Sequence, residues 1–146
     1  MAQKKYEFLD HTADVEYVAY GATLNAVFKN ALLALFDTMA DIKKLSKAKT
    51  MTKTFLINER ARELQDLLWF VLQDAVSVAD AEGLYSFGVK KLSIGTELGE
   101  YVITATINAK GKNPEFSKLD VKGVSKFDLA VTRKKNRYIA EAVLDV

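Results

Sequence analysis

Two stretches of this chain repeat apolar residues at helical spacing, and most of the remainder alternates. In the first, Leu24, Phe28, Ala31, Leu32, Leu35 and Met39 fall on one stripe, with Thr23 placed to cap its N-terminus. In the second, Ala61, Leu64, Leu68, Val71, Ala75 and Val78 do the same. Asn58 is its expected cap and Gly83 its expected stop. Trp69 and Phe70 read there as core residues. Strand-like alternation covers Tyr6 to Leu9, Val15 to Ala22, Thr50 to Ile57, Leu84 to Ile94, Tyr101 to Ala109, Val121 to Thr132 and Tyr138 to Val146.

Turn signals join these runs. Gly95-Thr96-Glu97-Leu98-Gly99 predicts a hairpin loop, and Arg133-Lys134-Lys135-Asn136-Arg137 a basic hairpin tip. Pro114, the only proline, falls in a connection where it costs no ladder bond. The order β-β-α-β-α-β-β-β-β predicts an α+β fold, with two amphipathic helices on one mixed, mostly antiparallel sheet. Residues 1–146 are expected to form a single two-layer domain. Strand order cannot be read from periodicity.

Composition narrows the chemistry. With no cysteine, disulfides, zinc ribbons and thiol catalysis are excluded, and a single histidine rules out His-rich zinc sites. No apolar run has the length or purity of a membrane span or secretory signal, so a cytoplasmic location is expected. A net charge of +2 does not by itself indicate nucleic-acid binding. The positive charges do group, at Lys43, Lys44, Lys47, Lys49 and Lys53 and again at Arg133 to Arg137. Neither group, nor the strand aromatics Tyr85 and Phe87, goes beyond permitting RNA contact.

The lone histidine sits in Asp10-His11-Thr12-Ala13-Asp14, boxed between carboxylates. Such a segment can be a turn whose side chains bond its own backbone. It can also be part of a metal site, because the last strand ends in Leu144-Asp145-Val146. Should that strand lie beside the first, Asp14, Asp145 and the Val146 terminus would offer three hard oxygen donors. These suit Ca²⁺, Mg²⁺ or Mn²⁺. The plainer alternative is a solvated aspartate near a frayed end. His11 reads as fixing the loop, since a calcium-type site wants oxygen. A metal-activated water at these acids would find only His11 or Asp10 as a nearby base. No phosphate loop, dinucleotide fingerprint or nucleophile elbow is present. A small metal-dependent hydrolase is therefore the weakest reading.

Taken together, the segments resemble the archease family over nearly the whole chain. The resemblance rests on Asp10 to Val15 (DHTADV), Gly21 to Met39 (GATLNAVFKNALLALFDTM), Leu67 to Ala75 (LLWFVLQDA) and Ala142 to Val146 (AVLDV). It implies an accessory factor, not an enzyme. Such a protein is a cytoplasmic activator of an RtcB-type RNA ligase in tRNA splicing, promoting ligase guanylylation and repeated turnover. It also implies a divalent cation, described as calcium, held by Asp14, Asp145 and Val146. Asp10, His11 and Lys122 are then candidates for supporting the site or contacting the partner. The alternative it carries is an adapter that assists a tRNA methyltransferase, binding tRNA and keeping a structural metal. Two positions depart from the family pattern. Lys122-Gly123-Val124-Ser125-Lys126-Phe127 keeps its lysine but has Phe127 where many members have histidine, and Glu16 stands where glycine is frequent.

Overall fold

A computed structural model describes residues 4–9 and 14–146. Its eight strands divide between two sheets, and both are antiparallel at every recorded pairing. The first sheet joins β1 (Tyr6–Leu9), β2 (Val15–Gly21), β8 (Arg137–Asp145) and β6 (Gly123–Val124) in that order. On the edge that β6 leaves free, β8 also pairs with β7 (Ala130–Lys134). In the second sheet β5 (Glu100–Gly111) lies between β3 (Lys53–Ala61) and β4 (Leu84–Glu97).

The α+β class holds, but the expected single sheet becomes two, and helix α1 (Leu24–Met39) shows why. Thr23 caps it as expected, its Oγ1 accepting the Ala26 N–H at 3.1 Å. Besides the predicted stripe, Val27, Ala34, Phe36 and Thr38 are buried, so the helix needs cover on more than one side. It receives that cover from β2 and β8 on the first sheet and from β4 on the second. Helix α3 (Leu64–Glu82) bridges likewise, against β3, β4 and β5 of one sheet and β6 and β7 of the other. One core of Tyr17, Phe28, Leu32, Leu68, Ile103, Ile107 and Leu144 runs through both sheets and both helices.

Several boundaries differ from the pattern-based expectation. Asn58 and Ala61 lie in β3 and not on the helix, which starts behind Glu63, a residue that makes no capping bond through its side chain. Gly83 does end α3, at φ +65° in the left-handed region that glycine adopts freely. A short helix, α2 (Ile42–Lys47), is capped by Asp41, which accepts the Lys44 N–H. Its six residues are too few to show a period. The almost fully buried Lys110 donates to the Ala48 carbonyl at the end of α2 and lies over the Phe87 ring. The run Val121 to Thr132 splits into β6 and β7. The β4–β5 turn is only Leu98-Gly99, both at positive φ. Pro114 opens a 3-10 turn, Pro114–Phe116.

Candidate functional site

The last strand lies beside the second, not the first, and this placement builds the site. In the β2–β8 ladder the last pair sets Val15 across from Leu144, so Asp14 and Asp145 each lie one residue beyond it at the same end of the sheet. Alternation buries Ala140, Ala142 and Leu144 and turns Glu141 and Asp145 outward. On the other flank of β8, Gly123 faces Asp145, and the Lys122 N–H donates to the Asp145 carbonyl at 2.8 Å. Lys122 is exposed and is held at Asp145 by its main chain.

A two-residue strand such as β6 is fixed from outside. Its free edge presents the N–H and C=O of Val124, which would be costly to leave unpaired. Trp69 Nε1 donates to the Val124 carbonyl at 2.9 Å, and Gln73 Oε1 accepts the Val124 N–H at 3.1 Å. These residues are one helical turn apart on α3, so a single helix face holds β6 against the end of β8. Neither was singled out as part of a site. The signal was present as Gln73, a polar side chain one turn beyond Trp69 that directly follows the apolar run Leu67 to Leu72. A Cβ placed on Gly123 would lie 3.5 Å from Gln73 Oε1 and 3.9 Å from Asp145 Oδ2. The missing side chain there leaves two oxygens bordering the same space.

Asp14 lines a surface cavity of about 320 Å³ with Phe8, Leu9, Val15, Thr38 and Leu119, and with the Asp37–Lys118 pair. Asp37 is fully engaged: it accepts from Lys118 Nζ and from the Tyr6 hydroxyl, both at 2.9 Å. Burial, with Asp37 beside it, raises the Tyr6 pKa above that of a free tyrosine, so this hydroxyl stays a donor. Among the described residues no hydrogen bond or ion pair engages the Asp14 or Asp145 side chain. Around the outward face Glu16, Glu141 and Asp128 line a neighbouring cavity with Phe127. Phe127 is 95 % exposed, and Phe8, Leu9, Leu119 and Val146 are also exposed, so apolar groups surround the acids.

No group of three or more His, Cys, Asp or Glu able to hold a metal occurs among the described residues. What this end of the sheet does supply is two carboxylates, each one residue beyond the last β2–β8 pair. That set suits a hard divalent ion whose remaining positions water fills. Asp10 and His11 lie outside the described residues.

A second carboxyl pair lies apart from this end. Asp74 of α3 bonds Glu59 of β3, and with partial burial raises the Glu59 pKa from 4.5 to about 7. The cavity there is lined by Asn58, Glu59, Arg60, Val102 and Ile103. The consequence is for stability. Between these two values the folded state binds more protons than the unfolded chain, so stability falls as pH rises through that window. Glu59→Gln should flatten the dependence, read as a smaller difference between urea midpoints at pH 5 and pH 8 than in the parent. Equal differences in the two proteins would show that Glu59 carries no such proton.

Comparison with known proteins agrees with this architecture over the full chain. The profile of the Archease protein family (MTH1598/TM1083) matches residues 6–146. The protein archease of Methanosarcina barkeri is 33% identical over 147 residues, spanning 98% of this chain and 97% of its own. That of Pyrococcus furiosus is 30% identical over 146 residues, with 98% and 99% covered. The solution structure of protein 1598 from Methanobacterium thermoautotrophicum superposes with a TM-score of 0.82 at 26% identity, covering 99% of this chain and all of that one. A Thermotoga maritima archease, described as a possible chaperone, shares the fold with a TM-score of 0.60 at 18% identity, with 100% and 98% covered. With its acidic strand ends, its two bridged sheets and a family profile matched from the first strand to the last residue, this chain belongs to the archease family.

Proposed function

We propose that this protein is an accessory factor that activates an RtcB-type RNA ligase through the acidic end of its first sheet. The observation that supports this most is the β2–β8 ladder, which brings the strand ends next to Asp14 and Asp145 together. In this reading Asp14 and Asp145, with Val146 at the strand end, hold a divalent cation, calcium before magnesium or manganese. Such an ion would supply positive charge where the ligase takes up a nucleotide triphosphate.

The protein's own residues do the rest. Trp69 and Gln73 hold β6, which keeps Lys122 and Gly123 at Asp145. Phe8, Leu119 and Phe127 offer apolar contact around the acids, as a docking surface requires. Phe127 cannot exchange a proton as the histidine of many relatives can, so here the position serves contact alone.

Ligation under multiple-turnover conditions tests the reading. A ligase from the same organism, given GTP and divalent metal, should pass from a single round of sealing to many when this protein is added. No change with a competent ligase would overturn it, and stimulation of a tRNA methyltransferase would then establish the adapter role.

A further inference from the structure

At the opposite end of β8 from Asp145, eight residues and about 26 Å away, the charge reverses. The β7–β8 hairpin places four cations in five positions, Arg133, Lys134, Lys135 and Arg137, and residues 129–140 contain no acid. All four are exposed, and among the described residues none pairs with a carboxylate. The tip is ordered by its rings. The Arg137 guanidinium lies 4.4 Å from the centroid of Tyr20, and that of Arg133 lies 5.5 Å from Tyr138. Alternation turns Arg133 to one side of the ribbon and Lys134 and Arg137, which face each other across the ladder, to the other. Lys135 forms the apex at φ +52°, a left-handed conformation that a lysine adopts only at a cost.

From this geometry we infer that the β7–β8 hairpin is a nucleic-acid binding element that grips the phosphate backbone without regard to sequence. Cations left without partners on both sides of a narrow ribbon suit a continuous polyanion. Two guanidinia braced on rings lose little freedom when they meet phosphate oxygens. An anionic membrane is disfavoured, because the large exposed apolar side chains lie elsewhere and none is on the tip to enter a bilayer. An acidic protein partner would want exposed aromatic anchors, whereas Tyr20 and Tyr138 are half-buried and lie against the guanidinia. The inference is independent of the ligase reading, since it concerns the other end of the strand and its test contains no ligase.

The test is fluorescence anisotropy of the full chain with a labelled 20-nucleotide RNA, single-stranded and as a duplex, at 50 to 200 mM salt. Four phosphate contacts predict that affinity falls about 50- to 150-fold over that range. Lys134→Ala with Lys135→Ala should halve the log–log salt slope, so the same change in salt costs only about tenfold. Both side chains are exposed, and among the described residues no hydrogen bond or ion pair engages them, so thermal unfolding should not move, and Lys134→Arg with Lys135→Arg should restore the parent slope. Absence of RNA binding at 50 mM salt would overturn the inference, as would an unchanged slope in the alanine variant. So would tighter binding to phosphatidylserine vesicles than to RNA.

Discussion

Asp145→Asn is expected to abolish ligase activation while leaving the fold in place. Asparagine keeps the shape of the side chain, and the bonds that seat Asp145 belong to its backbone: the carbonyl accepts from the Lys122 N–H, and the ladder neighbours are untouched. The side chain is exposed and engaged by none of the described residues, so its neutralisation removes charge and little else. Unfolding midpoints should therefore coincide with the parent's. Calcium affinity, measured by titration calorimetry, should fall by at least the roughly 10- to 100-fold that loss of an outer partner of a metal site costs. Multiple-turnover sealing should drop to a single round. Asp14→Asn should behave alike, because Asp14 and Asp145 each follow the last β2–β8 pair by one residue. Activation that survives both substitutions would remove the acidic end from the working surface.

The second large effect concerns stability. Gly21 ends β2 and is buried, and a Cβ there would stand 2.3 Å from the Val27 nitrogen and 2.7 Å from the Ala26 carbonyl carbon. Both obstacles are backbone of α1, which cannot swing aside as a side chain would. Gly21→Ala must lift the first turn of α1 from the sheet. That helix carries Phe28, Leu32 and Leu35 into the core shared by both sheets, so the displacement loosens contacts on two faces. Overpacking of this kind costs typically 1–3 kcal/mol, and the backbone clash places this site at the upper end, about 3 kcal/mol. For a chain of this length that lowers Tm by roughly 10 °C. Urea unfolding should show the loss with an unchanged m-value. A midpoint within error of the parent would mean that α1 slides freely on β2.

Much of the fold was legible because its causes are local. Thr23 caps α1 and Gly83 stops α3 through bonds and dihedrals within a few residues of each, so the residue types announce them. The basic tip also appears where its composition places it. What failed was decided at longer range. Asn58 resembles a cap, but nine residues of pairing with β5 draw it and Ala61 into β3. The run from Val121 to Thr132 reads as one strand. Even so, Trp69 and Gln73 seize Val124 while the next segment leaves the ladder and re-enters as β7.

For the site the division is sharper. Residue types alone determined the chemistry on offer: no thiol, one imidazole, oxygen donors at Asp14 and Asp145, and cations concentrated at Arg133 to Arg137. They did not determine which strands would be neighbours. That choice came from burying α1 on both sides, which split the strands into two sheets and put β8 between β2 and β6. Side-chain chemistry is a property of each residue, whereas adjacency is set by the cheapest way to bury every apolar face at once. Only the packed core could decide that β8 should lie beside β2, with Val15 across from Leu144.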